Sequence, residues 1–466
     1  MLKRKMHLLA LLAVFALIAG ACSSGDDGDD GGSDDTEETS DDGGDDGGDD
    51  AAADDGGDDG GDDGADDSGD EGGSTAEVPD NPDVGVESDV IRIGWMGDAT
   101  GPTASAQAFN LTGAEAAVAW YNENGGVLGR QLELVVKDDQ FSAETATTNY
   151  ASLTQDDGII AIVQMGGSQI STALMANVEE DGVPVISLPQ TIDIQLDVPS
   201  AYNNIAHYGD EARVAVAYVG EQLGSVEDAV MAVVQLELPS GDEWDVYIQD
   251  ALEQGGGTYA GRVLLNPGSP DYAGAVTQIQ ELINNDGVNY LAIHGAPSHG
   301  LGFVTEMVAN GIDTPIVGIH GMAGGAIYQE GPPEAADLIR GVHSFLPATS
   351  DCETCEVIRE FVAGTEWEDD IIELNFSDGW QDIMITVQAM ERAAEADGEL
   401  TWETMNTALK SAPFDTGGLT CEVDWTTSQH SPCAAPFEWT GDSLVAVGGF
   451  DAYSDAIVEE YGLLES

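Results

Sequence analysis

Positive charge is what this 466-residue chain lacks most: 12 Lys and Arg stand against 88 Asp and Glu, a formal net charge of −76 at pH 7. Nucleic-acid binding depends on cationic side chains that neutralise backbone phosphates, so that class of partner is excluded. Recognisable catalytic motifs are missing as well. There is no Gly-x-Ser-x-Gly elbow, no Gly-Lys-Ser phosphate loop and no His-Glu-x-x-His helix. Carboxylates are so abundant that finding two together diagnoses nothing. The expectation is therefore no catalytic residue, no metal ligand and no cofactor. The acidic excess is also compatible with a salt-rich habitat, where screening removes much of the self-repulsion.

A membrane-spanning apolar run is absent too. Lys3, Arg4 and Lys5 lead into the run from Leu8 to Ile18 and then to small residues before Cys22, the layout of a secretory signal and too short for a span. Ala19-Gly20-Ala21-Cys22 resembles a lipoprotein box, with Ala19 where that pattern prefers Leu. On this expectation residues 1–22 are signal and lipobox, and Cys22 becomes a lipidated N-terminus at the outer face of the cytoplasmic membrane. Ordinary cleavage near Ala21, releasing a soluble secreted protein, is the alternative. Residues 23–87 are almost wholly Asp, Gly, Ala and Ser, with too little apolar surface to offset the entropy of ordering. They read as a disordered tether, of roughly 45 Å end to end for about 65 residues of flexible coil. Their Asp-Asp-Gly-Gly units lack the spacing of calcium-binding β-roll repeats.

Cysteine is scarce, with five in the chain. Beyond Cys22 they form two close pairs, Cys352 with Cys355 and Cys421 with Cys433, in a chain that leaves the reducing cytosol. Disulfides within each pair are expected; zinc at Cys352-Glu353-Thr354-Cys355 is the rival use.

What the rest of the chain has is alternation of short β-rich runs with longer amphipathic ones, the pattern of βαβ units around parallel sheets. Strand-like runs are Val90–Gly94, Leu132–Val136, Ile159–Val163 and Val183–Ile186, with a second series at Ala229–Val234, Tyr290–Ile293 and Pro315–Ile319. Helical spacing from Leu111 to Tyr121 stops at Asn124-Gly125-Gly126. The fold class is α/β, with two doubly wound parallel-sheet lobes. Ligands of such sheets collect at the carboxyl ends of the strands, where loops and helix starts offer free N–H groups. Two loops stand out there, Gln164 to Thr172 and Ser187 to Thr191. Both suit a carboxylate or another polar head, unless Ser168 and Thr191 merely cap helices.

Ile91 to Gly113, with Thr100-Gly101-Pro102 ahead of Asn110-Leu111-Thr112-Gly113-Ala114, resembles the opening of the leucine/isoleucine/valine-binding protein family, the type I periplasmic binding proteins. Asn124 to Arg130, Gly167-Ser168, Gly182 to Ser187 and Gly268 to Tyr272 extend the resemblance over nearly all of the chain after the tether. It implies lobes joined by a three-strand hinge that closes on ligand, with crossovers near Asp210, near Gly341 to Phe345 and near Ala434 to Phe437. Lobe 1 would comprise 88–209 and 342–433, and lobe 2 would comprise 210–341 and 434–466. It implies that the Ser168 and Thr191 hydroxyls hold a ligand carboxylate, helped by backbone N–H groups around Gly167 and Gln190, and that Asp210 faces an ammonium group. A helix N-cap is the other role open to Asp210.

The chain departs from the family at the amine end. His320 stands where a second-lobe acid is expected, Ala106 where some members have an aromatic, with Phe109 nearby as a replacement, and the loop carrying Ala296 lacks the family's tyrosine. His294, His299 and His320 raise a metal site as a sharper alternative, and Trp380 and Asp382 could edge the cleft or sit in the core. The implied function is a solute-binding lipoprotein of an ABC importer, outside the cytoplasm. Its partners would be a small-molecule ligand (an amino acid, amide or urea-like compound), an ABC permease, and the membrane through a lipid anchor, and the protein would be a monomer. A ligand-sensing receptor domain and a surface hydrolase are the competing functions.

Overall fold

Short apolar runs that end in glycine or a polar residue build the first sheet. They are β1 (Val90–Gly97), β2 (Gln131–Asp138), β3 (Ile162–Met165), β4 (Val185–Ile186) and β5 (Ala201–Tyr202), all parallel, in the order β2-β1-β3-β4-β5. A computed structural model describes residues 78–187, 198–430 and 433–456, the side chains of 454–456 excepted. The signal segment with Cys22, nearly all of the tether, Gln190 and Thr191 lie outside the described residues.

Between these strands run α1 (Ala104–Glu123), α2 (Ala143–Ala151) and α3 (Ser168–Asp181), and α4 (Tyr208–Leu223) leads to the second sheet. That sheet takes β6 (Val230–Leu236), β7 (Thr258–Leu265), β8 (Tyr290–Ile293), β9 (Ile316–Gly318) and β10 (Ile339–His343), with α5 (Pro239–Gly255), α6 (Tyr272–Asp286) and α7 (Pro297–Ala309) between them. The chain then returns to the first half with α8 (Glu353–Val362), α9 (Leu374–Asp397) and α10 (Trp402–Leu409), and finishes in the second sheet with β11 (Ala435–Trp439) and β12 (Leu444–Ala446). The order is β12-β11-β10-β9-β8-β6-β7. The α/β class stands, with one correction: β11 and β12 run antiparallel, so the second sheet is mixed. They enter from the other half and need no crossover helix to reverse direction.

Three buried clusters follow the sheets. One draws on Ala206 to Val342, Leu374 and Ala434 to Tyr453; the other two belong to the first half and draw on Val78 to Ile205 with Phe345 to Trp425, and on Met96 to Ala201. Leu374 apart, core membership thus changes between the halves at three places, and these lie side by side: Ala206 N–H donates to Ser344 Oγ at 2.9 Å and Asn203 N–H to the Gln429 carbonyl at 2.8 Å. Cys352 is bonded to Cys355 and Cys421 to Cys433.

The longest return helix, α9, lies against α1 at nearly the closest approach two backbones can make. A Cβ on Gly113 would stand 2.0 Å from the Phe376 carbonyl oxygen, and one on Gly379 1.9 Å from that of Asn110. Only residues without a side chain fit there. Trp380, next in the chain, is fully buried in this interface and packs against Trp120, so it is core and does not edge the cleft. The run Ile159–Val163 becomes strand only at Ile162; Ile159 and Ile160 are fully buried all the same, and burial alone does not mark where a strand starts. The helix read from Leu111 begins seven residues earlier, at Ala104.

Candidate functional site

Both halves share the strand order in which the first strand is flanked by the second and third, so each has a switch point at its carboxyl edge, where loops diverge and leave a crevice. The two crevices face one another. Between them lies a cleft with about 730 Å³ of atom-free space, part of it open to solvent. Its walls come from the segments after β1 (Thr103, Ala106, Gln107), β3 (Gly166 to Ser168) and β4 (Ser187), and opposite them from those after β6 (Leu238, Ser240), β8 (His294 to Ala296) and β9 (Ile319 to Gly321). Asn375 and Asp378 of α9 and Tyr208 of α4 complete it. Among the described residues no Lys or Arg lines the cleft.

The first wall is held by Asp98, buried just past β1. Its carboxylate accepts from the N–H groups of Gly101 and Thr103 and from the Thr103 hydroxyl. Gln107 closes the loop, its Oε1 accepting from Asp98 N–H at 2.8 Å and its Nε2 donating to Thr103 Oγ1 at 2.8 Å. Gly167 has φ +103°, and a Cβ there would meet the Phe141 ring at 2.6 Å; the turn into α3 needs glycine on both counts. Ser168 opens α3 behind Gly167, which is the N-cap, so Ser168 does not cap its own helix. Its hydroxyl instead reaches the other half, donating to Ser240 Oγ at 3.1 Å and accepting from Ser240 N–H at 3.3 Å. The N-termini of α3 and α5 therefore converge, and both partial positive ends face one space. Ser105 and Ser298 make a similar but exposed bridge, Oγ to Oγ at 3.2 Å.

The second wall is built around histidine. His294 is buried, lines the cleft, and has no hydrogen-bond partner at either ring nitrogen among the described residues. Burial, with the neighbouring His320 and His299 adding to it, pushes its pKa down to about 3, so it stands as a neutral ring with one donor and one acceptor. His320 is held by Glu211, fully buried, at 3.0 Å from Nδ1 to Oε1. Burial raises the Glu211 pKa and His320 opposes that rise. The Tyr208 ring sits 5.4 Å from His294 and 5.8 Å from His320.

The floor is a pair of buried carboxylates on successive turns of α9. Asn110 Nδ2 donates to Asp378 at 2.9 Å and to Asp382 at 3.1 Å, Asn204 Nδ2 donates to Asp382 at 2.7 Å, and Trp95 Nε1 orients Asn110 at 2.8 Å. Burial pushes Asp378 up to about 6 and Asp382 well above the carboxylate range, the latter also because Asp378 is close.

Gly167, Ser168, Ala296 and His320 are thus brought together in the cleft. Phe109 is not among the lining residues, for the cleft side of α1 is Thr103, Ala106 and Gln107. The aromatic there is Phe141, on the loop after β2, held at φ +60° with its N–H donating to Asp139 at 2.7 Å. Asp210 is not a lining residue either, nor an N-cap: His207 caps α4, and Asp210 is buried in the first turn. The acid reaching the cleft is Asp378. Asp382, read as a possible edge, lies behind it. His299 does not converge with His294 and His320 on a metal, since its Nε2 is engaged by the Pro267 carbonyl at 2.9 Å. Phe141, Ser240, Tyr208, Glu211, Asn375 and Asp378 were not singled out from sequence. The signal for Phe141 was available in Asp138-Asp139-Gln140-Phe141, directly after a strand; none marked the α9 residues, which approach from a distant return segment.

A family model described as "Periplasmic binding protein" matches residues 90–443. The leucine-, isoleucine-, valine-, threonine- and alanine-binding protein of Pseudomonas aeruginosa is 24% identical over 334 residues, 71% of this chain and 84% of that protein. Among solved structures, the fatty acid ABC transporter substrate-binding protein from Thermomonospora curvata superposes with a TM-score of 0.70 at 19% identity, over 79% of this chain and 94% of that one. A branched-chain amino acid ABC transporter protein from Thermus thermophilus, with bound valine, gives 0.69 at 20% identity over 77% and 95%.

Proposed function

The chain belongs to the periplasmic binding protein family, and on that premise we propose that it is the extracytoplasmic solute-binding protein of an ABC importer, a hinged clamp that captures a small polar molecule and catalyses nothing. The observation that carries this is the shared cleft, where the carboxyl edges of two sheets with separate cores supply opposite walls and where buried His294 presents two uncommitted nitrogens. A buried polar side chain without a partner is costly unless a ligand completes it.

The lobes are taken as 88–209 with 342–433 and 210–341 with 434–466; the buried clusters support two separate cores with somewhat different bounds, since one already begins at Val78 and the other takes in Ala206, Tyr208 and Leu374. Cys22 is taken as the lipid anchor and the Asp/Gly-rich stretch as the tether that lets the clamp reach its permease, with its end moved from residue 87 back to residue 77, because Val78, Val84 and Val86 are buried in the core of the first half. The ligand class is an amino acid, amide or urea-like compound. A carboxylate or carbonyl end would meet the converging starts of α3 and α5 at Ser168 and Ser240, with Gln190 and Thr191, which follow β4 in the sequence, as further candidates. An amine or amide end would meet Asp378 and His294. The binding of branched-chain and small amino acids named for the Pseudomonas relative is consistent with this class.

Thermal-shift screening of amino acids, amides and small carboxylates, followed by calorimetry and a turnover assay on the hits, tests the function. A saturable one-to-one heat with no product is expected, and a ligand at about 100 times its Kd adds about 3 kcal/mol of stability. Product formation on a hit, or no hit while the folded protein is intact, would overturn the assignment.

A further inference from the structure

A second site lies where the halves join, away from the cleft lining. His207 ends the first passage between the halves and caps α4, Asp210 is in the first turn of that helix, and His430 arrives with the third passage, its neighbour Asn203 pairing with it as a parallel bridge. One ligand atom from each of these three residues lies within 4.8 Å of the others, and all three residues are buried. The two imidazoles stack with centroids 4.4 Å apart.

We propose that His207, Asp210 and His430 form a hinge site for a divalent transition cation of the zinc type, two imidazole nitrogens and one carboxylate oxygen with the fourth position left to water.

The donor set suits such an ion: zinc takes imidazole and carboxylate at about 2.0–2.2 Å in a tetrahedral shell, which spaces its ligand atoms roughly 3.4 Å apart, so the trio has to close by about 1.4 Å at most. Hard cations that need six or more oxygens are not served by it. Ser428 Oγ lies 2.5 Å from His430 Nδ1, fixing the ring as an outer partner does in built metal sites. The Cys421–Cys433 bond closes the loop that carries both Ser428 and His430. Because the ligands come from two of the three passages, an ion bound by all three ties those passages together and favours whichever lobe arrangement brings them into register.

Calorimetric titration of the full chain with Zn2+, in excess Ca2+ to occupy oxygen-only sites on the acidic surface, needs no solute and so stands apart from the importer assignment. One tight equivalent is expected in the native protein and in His299→Gln. In His207→Gln, His430→Gln and Asp210→Asn that equivalent should weaken by 100-fold or more with circular dichroism unchanged. Ser428→Ala keeps all three ligands and should weaken it about tenfold, which holds the test if a buried variant fails to fold. Absence of a Zn2+ equivalent above the Ca2+ background overturns the site. So does a Zn2+ equivalent untouched by both His430→Gln and Ser428→Ala.

Discussion

Replacing Ser168 by alanine should open the clamp, and the size of the effect follows from what the hydroxyl touches. Across the cleft Ser168 Oγ accepts the Ser240 N–H and donates to the Ser240 hydroxyl, and both residues are buried. Alanine leaves a buried N–H and a buried hydroxyl without that partner, a cost of about 2 kcal/mol confined to the closed form, because in an open cleft water takes over. That free energy is roughly a thirty-fold loss in the ratio of closed to open molecules, and a ligand that binds the closed form loses apparent affinity by up to about the same factor, reached where the open form predominates without ligand. Ser105→Ala is the matched control. Its bridge to Ser298 has the same chemistry but is exposed, so water replaces it in either form and the change should stay within about 0.5 kcal/mol. Calorimetric Kd values for a solute found by the screen, measured on both variants beside the native chain, make the comparison. If Ser168→Ala costs no more affinity than Ser105→Ala, the bridge across the cleft does not hold it shut.

The helix crossing, the buried histidine and the disulfide make separate forecasts. Gly379→Ala drives a methyl to 1.9 Å from the Asn110 carbonyl oxygen; the α1–α9 pair must part, and denaturant titration should show a loss of about 3 kcal/mol. His294 has a folded pKa of about 3 against roughly 6.5 unfolded. Above pH 6.5 it contributes nothing, and as pH falls toward 3 the unfolded chain gains a proton that the folded site refuses, so stability drops by up to about 5 kcal/mol. His294→Gln, with His320, His299 and Tyr208 still around it, should therefore narrow the gap between urea midpoints at pH 7 and pH 4.5; an unchanged gap refutes the burial argument. Removing the Cys421–Cys433 bond frees a loop of about a dozen residues and should cost about 3 kcal/mol, read as a shift in urea midpoint between the oxidised chain and Cys421→Ser/Cys433→Ser.

The fold was largely legible because two-sided burial writes itself into sequence. β1, β3, β6 and β8 appear as runs of Val, Ile, Leu and Ala, and their spacing with helical stretches identifies the βαβ order. The edge strand β7 was harder to see. Thr258–Leu265 contains Gly261 and exposes Leu264, so neither alternation nor an unbroken apolar run marks it. The cleft was half legible for a related reason. Gly167, Ser168 and His320 follow strands directly, and the rule that ligands gather at carboxyl ends finds them. Asp378 and Asn375 sit on a helix more than 170 residues beyond β5, and nothing local distinguishes Asp378 from the many other acids; its distinction is burial beside Asp382 under Asn110 and Asn204, which only the tertiary fold creates. Asp210 shows the converse, a strong local reading that a one-residue turn of the helix redirected: Glu211, its neighbour, is the acid that engages a cleft histidine.

The charge of the chain and the chemistry of its cleft point to the same kind of ligand. A net charge of −76 sets up a field that repels anions on approach and is weakened only by salt. A net-anionic solute would meet that field with no Lys or Arg among the described residues of the cleft wall to receive it. A zwitterion or a neutral amide has no net charge for the field to act on, so its approach is governed by the cleft itself. There, two helix starts supply partial positive charge while Asp378 and the neutral His294 supply acceptors, so the lining offers a polar ligand groups of both kinds. Lowering the salt should accordingly slow association of a simple carboxylate far more than that of an amino acid of the same size, and stopped-flow rates that fall equally for both would contradict a cleft lined in this way.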